Sequence, residues 1–136
     1  MYLSIDYGKK RIGLAVGSRF PRGIGTIDNP GSIQELTDKL LIICRGHAVD
    51  GVVMGLPMSQ LSEKSEVVKD IEELAEKIEK QSGLKVFFEE EDFTSVEAER
   101  ELISRGVDTR REKAKTDELA AILILEQFIE SRSAKS

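Results

Sequence analysis

The sequence predicts an α/β fold, a mixed five-stranded sheet with helices on both faces in the order βββαβαβαα. Three observations carry this. Two short apolar runs fall within the first 17 residues and are joined by a glycine turn, as in an antiparallel meander. Beyond residue 30, stretches with helical apolar spacing alternate with short apolar runs. Strands that alternate with helices form a sheet whose two faces must both be covered.

The elements follow in order. Residues 2–7 and 11–17 read as strands around the turn Gly8-Lys9-Lys10, and 23–27 as a third strand at the edge. Asp28-Asn29-Pro30-Gly31 breaks the chain. Ser32-Ile33-Gln34-Glu35 is a capping box, in which serine accepts a free N–H of the first helical turn. Ile33, Leu36, Leu40, Ile43 and Cys44 then recur at helical spacing, so Cys44 belongs to the core and is not a nucleophile. His47 follows the helix end at Gly46 and reads as a helix-end residue. Val49–Met54 is a buried strand ended by Gly55-Leu56-Pro57.

The next helix spans Glu63–Ser82, buries Val67, Ile71, Leu74, Ala75 and Ile78, and stops at Gly83. Val86-Phe87-Phe88 forms the last strand, which runs into Glu89-Glu90-Glu91-Asp92. Thr94-Ser95-Val96-Glu97 opens a helix that ends near Gly106. The final helix starts at Thr109 or at Thr116 and continues through Leu119–Leu125 to Ile129. Residues 1–130 therefore form one domain, and 131–136 a frayed tail.

Composition narrows the function. No apolar stretch reaches membrane-spanning length and no targeting segment is visible, so a cytoplasmic protein with no membrane partner is expected. The lone cysteine excludes an internal disulfide. A net charge of −5 argues against non-specific nucleic-acid binding. The distribution of charge is more informative. Residues 8–27 contain Lys9, Lys10, Arg11, Arg19 and Arg22 with no acid, and Arg110, Arg111, Lys113 and Lys115 form part of a second basic region.

The chemistry rests on three acids. Asp6 ends an apolar strand, where a carboxylate is costly unless a cation meets it. Glu89, Glu90 and Glu91 lie at the end of the last strand, and period-two alternation puts Glu89 and Glu91 on one face and Glu90 on the other. Asp117 lies near the start of the final helix, which Ala120 and Ala121 would let lie close to the sheet. Each acid alone has an ordinary explanation: a turn cap, a solvated strand end, a first-turn helix residue favoured by the dipole. Together they form an all-oxygen donor set suited to Mg²⁺ or Mn²⁺. No Cys/His cluster suits zinc.

Four blocks resemble the YqgF/RuvX family, whose members are described as pre-16S rRNA nucleases or Holliday-junction resolvase-like proteins. They are Ile5-Asp6-Tyr7-Gly8-Lys9-Lys10-Arg11-Ile12-Gly13-Leu14-Ala15, Val52-Val53-Met54-Gly55-Leu56-Pro57, Glu90–Ala98 and Lys115–Leu125. The resemblance implies a ribonuclease H-like fold and a divalent-metal-dependent endonuclease with its acids at Asp6, Glu91 and Asp117. The family's Asp-Glu-Arg is Glu90-Glu91-Asp92 here, so Glu90 stands as the alternative to Glu91. After Gly-Leu-Pro the family's loop glycine is replaced within Met58–Glu63.

The substrate so implied is structured RNA, with 5′-end processing of pre-16S rRNA first. A Holliday junction is second, and a non-catalytic RNA-binding assembly factor third. Lys9, Lys10, Arg11, Arg110, Arg111, Lys113 and Lys115 are the candidate phosphate contacts. The chain would act as a monomer, or as a homodimer where two cuts are needed.

Overall fold

The structure, a computed structural model, describes residues 1–57, 65–91, 104, 106 and 113–134. Five strands form one sheet: β1 (Tyr2–Asp6), β2 (Arg11–Gly17), β3 (Arg22–Asp28), β4 (Gly51–Pro57) and β5 (Lys85–Glu91). Among the described residues three long helices pack on it: α1 (Ile33–Gly46), α2 (Glu66–Ser82) and α3 (Lys113–Ala134). The sheet order is β3-β2-β1-β4-β5. β1, β2 and β3 are an antiparallel meander, whereas β1, β4 and β5 are parallel. The first and last strands are thus separated only by β4.

Strand alternation divides the core. Leu3 and Ile5 of β1, with Ile12, Leu14 and Val16 of β2, pack against Leu36, Leu40 and Cys44 of α1 and Ile71, Leu74 and Ile78 of α2. The opposite face, with Ala15, Val53 and Phe87, meets Ala121, Ile124, Leu125 and Phe128 of α3. Tyr2, Phe87 and Phe128 close this layer with ring centroids 5.2–6.2 Å apart.

The helix ends obey their caps. The Ser32 hydroxyl accepts from the Glu35 N–H at 3.3 Å, and His47 caps the C-terminus of α1 through its own N–H. α2 begins at Glu66, later than the Glu63 expected, because the Ser65 hydroxyl accepts the Val68 N–H and sets the start. It ends on Gly83 at φ 78°, in the left-handed region that glycine enters without strain. β4 starts at Gly51, not Val49, because Ala48 turns the chain at φ 50° and the Asp50 N–H bonds the Met1 carbonyl. α3 continues to Ala134, through residues assigned to the tail from sequence, each further residue adding one helical hydrogen bond. Of the expected helix from Thr94 to near Gly106, only Ser104, which is helical, and Gly106, in a turn at φ 81°, are described; its other residues, the alternative start at Thr109 and the loop 58–63 lie outside the described residues. No helix among the described residues is long and apolar enough to cross a membrane.

Candidate metal centre

β1 sends alternate side chains to opposite faces, so burial of Leu3 and Ile5 beneath α1 and α2 turns Ser4 toward α3. The Ser4 hydroxyl donates to the Ala121 carbonyl at 2.6 Å, fixing α3 over β1. Two residues on, Asp6 occupies the same face and pairs with Gly13 of β2. Gly13 is where α3 touches the sheet. A Cβ there would lie 2.0 Å from the Asp117 carbonyl oxygen. The ladder partner of Asp6 is therefore in contact with the Asp117 backbone, and antiparallel partners are only about 5 Å apart. Asp6 and Asp117, 111 positions apart in sequence, share one spot on one face.

Arg11, at the start of β2, donates from Nε to Asp117 Oδ2 at 3.1 Å, with both side chains about 30% exposed. A cation thus rests on this carboxylate. Lys9, in the turn before β2, pairs with Glu66 at 3.0 Å in solvent. Two expected phosphate contacts are therefore engaged with acids, whereas Lys10 is exposed. Lys115 is exposed on α3. Arg110, Arg111 and the side chain of Lys113 lie outside the described residues.

The strand-end glutamates divide as alternation requires. Glu89 Oε1 accepts from Gln127 Nε2 at 2.8 Å, so this acid faces α3, while Glu90 is exposed. The same Gln127 nitrogen donates to the Glu90 carbonyl at 2.8 Å, tying the end of β5 to α3. Gly55 pairs with Glu89, and Asp6 is one residue beyond the Ile5–Met54 pair. Asp6 and Glu89 are thus level, two strand spacings or about 10 Å apart. The Glu91 backbone pairs with Pro57, and its side chain lies outside the described residues.

α3 spans these positions by simple geometry. Ten residues of helix from Asp117 to Gln127 cover about 15 Å, and the three spacings from β2 to β5 cover about 14 Å. One helix therefore carries an acid above β2 and a clamp above β5. Sequence reading did not single out Gln127, because a solvent-side glutamine on a helix has no distinguishing pattern. Of the two alanines expected to allow close approach, Ala121 lies on the sheet, while Ala120 packs beside Leu119 in a separate cluster.

The opposite face differs in character. Tyr7 donates to Asp70 at 3.0 Å beside a cavity of about 280 Å³ that Lys9, Asn29 and Glu66 also line. Burial raises the Tyr7 phenol above its ordinary value, and the Asp70 carboxylate adds to the rise. His47 is at the far end of α1.

The donor chemistry at Asp6 and Asp117 suits a hard divalent ion, since both are carboxylates and a guanidinium already takes the cationic place at Asp117. Among the described residues no group of three His, Cys, Asp or Glu side chains is close enough to hold a metal.

Comparison with known proteins agrees with this geometry. A family model described as RuvX, Holliday junction resolvase, matches residues 1–131. A Chlamydia trachomatis serovar L2 protein named as a pre-16S rRNA nuclease is 39% identical over 136 residues, covering 96% of this chain and 92% of the relative. A Chlamydia caviae protein of the same name is 37% identical over 140 residues, covering 98% and 85%. Among solved structures, T. thermophilus RuvC in complex with a Holliday junction matches with TM-score 0.61 at 16% identity, covering 99% of this chain and 96% of that one. Fowlpox virus resolvase with Holliday junction DNA matches at TM-score 0.56 and 14% identity, covering 96% and 99%. Those structural likenesses establish a ribonuclease H-like fold, and the match along nearly the whole sequence establishes that the chain belongs to the RuvX family.

Proposed function

We propose that this chain is a divalent-metal-dependent endonuclease that cleaves phosphodiester bonds in structured nucleic acid, with the 5′ end of pre-16S rRNA as substrate. The single observation that supports this most is the convergence of Asp6 and Asp117 on one face, through the glycine contact at β2. Asp6, Asp117 and Glu91, or Glu90 in its place, would hold Mg²⁺ or Mn²⁺. When bound, such an ion supplies positive charge that acidifies an attacking water and offsets charge on the leaving oxygen.

The protein's own groups do the rest. Arg11 holds the Asp117 carboxylate in place until the site is loaded, then is released toward substrate phosphate. Lys9 exchanges Glu66 for a phosphate at little cost, because an exposed pair contributes at most about 1 kcal/mol. Lys10, Arg110, Arg111, Lys113 and Lys115 extend the phosphate contacts on either side. The protein acts in the cytoplasm, where ribosomal precursors are processed.

The family's own description favours a second reading, cleavage of a Holliday junction. That reaction needs two sites and hence a homodimer, whereas a monomer suffices for a single cut in RNA. The test is side-by-side cleavage of pre-16S rRNA and a synthetic four-way junction with Mn²⁺, by wild type and Asp6→Asn. Cleavage of the RNA that disappears in Asp6→Asn is expected. Equal cleavage by both proteins would refute the mechanism, and cleavage of the junction alone would exchange the substrate.

A further inference from the structure

We propose that the β2–β3 turn, Arg19-Phe20-Pro21-Arg22, is a stacking platform for an unpaired base of the nucleic acid held at the candidate metal centre. The inference rests on the nuclease reading for its ligand but on different residues. Phe20 is 83% exposed, the most exposed large apolar side chain among the described residues. Its face is open to a stacking partner.

The turn holds the ring outward. A Cβ on Gly17 would lie 2.8 Å from the Pro21 Cα and 2.9 Å from the Phe20 carbonyl oxygen, so the loop folds tightly back on the end of β2. Pro21 restricts the backbone beside it. Phe20 is thus presented by a closed loop and not by a loose one.

Charge identifies the partner. Arg19 and Arg22 lie close to Phe20 in sequence, are exposed, and their side chains make no ion pair or hydrogen bond among the described residues, unlike Lys9 and Arg11. An exposed ring with basic residues on both sides of it in the chain matches a nucleotide, whose base offers a flat face and whose phosphates offer charge. Arg19, Phe20 and Pro21 line a cavity of about 460 Å³ together with Glu126, Ile129 and Glu130 of α3. Those acids repel phosphate, so the backbone stays outside the cavity and the base meets Phe20.

Position agrees. Contact with α3 puts the turn on the face that also holds Asp6 and Asp117. Along β2, the step from the Gly13–Asp6 pair to the Gly17–Tyr2 pair covers four residues or about 14 Å, with the turn beyond it. The turn is therefore more than about 14 Å from the two acids, a span of more than four stacked nucleotide steps at roughly 3.4 Å each. An unpaired base is required because a paired one hides its faces in the stack.

The chain contains no tryptophan, so Phe20→Trp creates a single fluorescent reporter. Without metal, to prevent cleavage, this variant is titrated with a fluorescein-labelled unpaired 12-nucleotide RNA strand and with the matching duplex. Tryptophan quenching that saturates together with the anisotropy of the unpaired strand, and is weaker with the duplex, is expected. Phe20→Ala should weaken binding of the strand about tenfold with an unchanged melting temperature, since the ring is exposed. Arg19→Gln and Arg22→Gln should each reduce the salt slope of binding by about one.

Saturating anisotropy with no tryptophan change would overturn the platform while leaving the nuclease reading intact, because cleavage by wild type is measured separately. A tryptophan change that follows protein concentration without RNA would assign the ring to a second copy of this chain and equally overturn it. Absence of any binding would overturn it too.

Discussion

Replacing Gly13 with alanine should lift α3 from the sheet where Asp6 and Asp117 meet. The new Cβ would lie 2.0 Å from the Asp117 carbonyl oxygen, 2.5 Å from its carbon and 3.1 Å from the Glu118 nitrogen. All three are backbone atoms, so no side chain can rotate away. Ordinary contact begins at 3.4 Å, which requires the start of α3 to move by about 1.4 Å.

Overpacking of this kind costs about 1–3 kcal/mol, and a rigid backbone neighbour places this site at the upper end. For a domain of this size that lowers the melting temperature by roughly 10 °C. A displacement of about 1 Å in a positioned group also costs on the order of 10²-fold in rate. The assay pairs thermal unfolding by circular dichroism with Mn²⁺-dependent cleavage at a temperature where both proteins are folded. Gly46→Ala is the control, since a Cβ there meets nothing within 4 Å. If Gly13→Ala melts and cleaves like wild type, the close approach of α3 to β2 is wrong, and the convergence of the two acids falls with it.

Three further outcomes are expected. Ser4→Ala removes a buried hydrogen bond to Ala121 and should destabilise the fold by about 1 kcal/mol, read by urea denaturation; an unchanged midpoint would contradict it. Arg11→Gln removes the cation that competes at Asp117 and should tighten Mn²⁺ binding a few-fold, about 1 kcal/mol for a half-exposed pair, read by calorimetry; weaker binding would give Arg11 a different role. Burial pushes the Cys44 thiol up to about 11, so the native protein should resist a thiol reagent at pH 8 that labels it in urea. The sign for stability follows. The unfolded thiol ionises near its ordinary 9.0 and the folded one only near 11, so this contribution is complete below pH 9 and is lost as pH rises between them. A smaller loss of stability from pH 8 to pH 10.5 in Cys44→Ala than in wild type checks it; equal losses would contradict it.

Much of the fold was legible because it is encoded locally. Short apolar runs around a glycine turn marked the meander, helical spacing marked α1 and α2, and Ser32 and Gly83 supply caps whose effect reaches only one turn. Alternation also separated Glu89 from Glu90 before any contact was known. The element ends were less legible. Ser65 outcompeted Glu63 as the start of α2, because a hydroxyl accepting an N–H outweighs a favourable charge. α3 was harder still, since it is buried on more than one side and shows no single apolar stripe.

By itself the sequence determined the order of elements, the two apolar faces of the sheet, and three acids at element ends in a pattern resembling RuvX. It did not determine which partners those charges find, because strand order and helix crossing are long-range properties with no local signature. Only the tertiary structure decided that β4 separates β1 from β5, that Gly13 admits the backbone of Asp117, and that Arg11 rests on that acid. It also decided that one glutamine holds the acidic strand end, while Phe20 stands exposed between β2 and β3. The physical reason is packing: a carboxylate's neighbours are set by elements folded across it, and residues 6, 13 and 117 meet, with 127 reaching β5, only when α3 crosses the sheet.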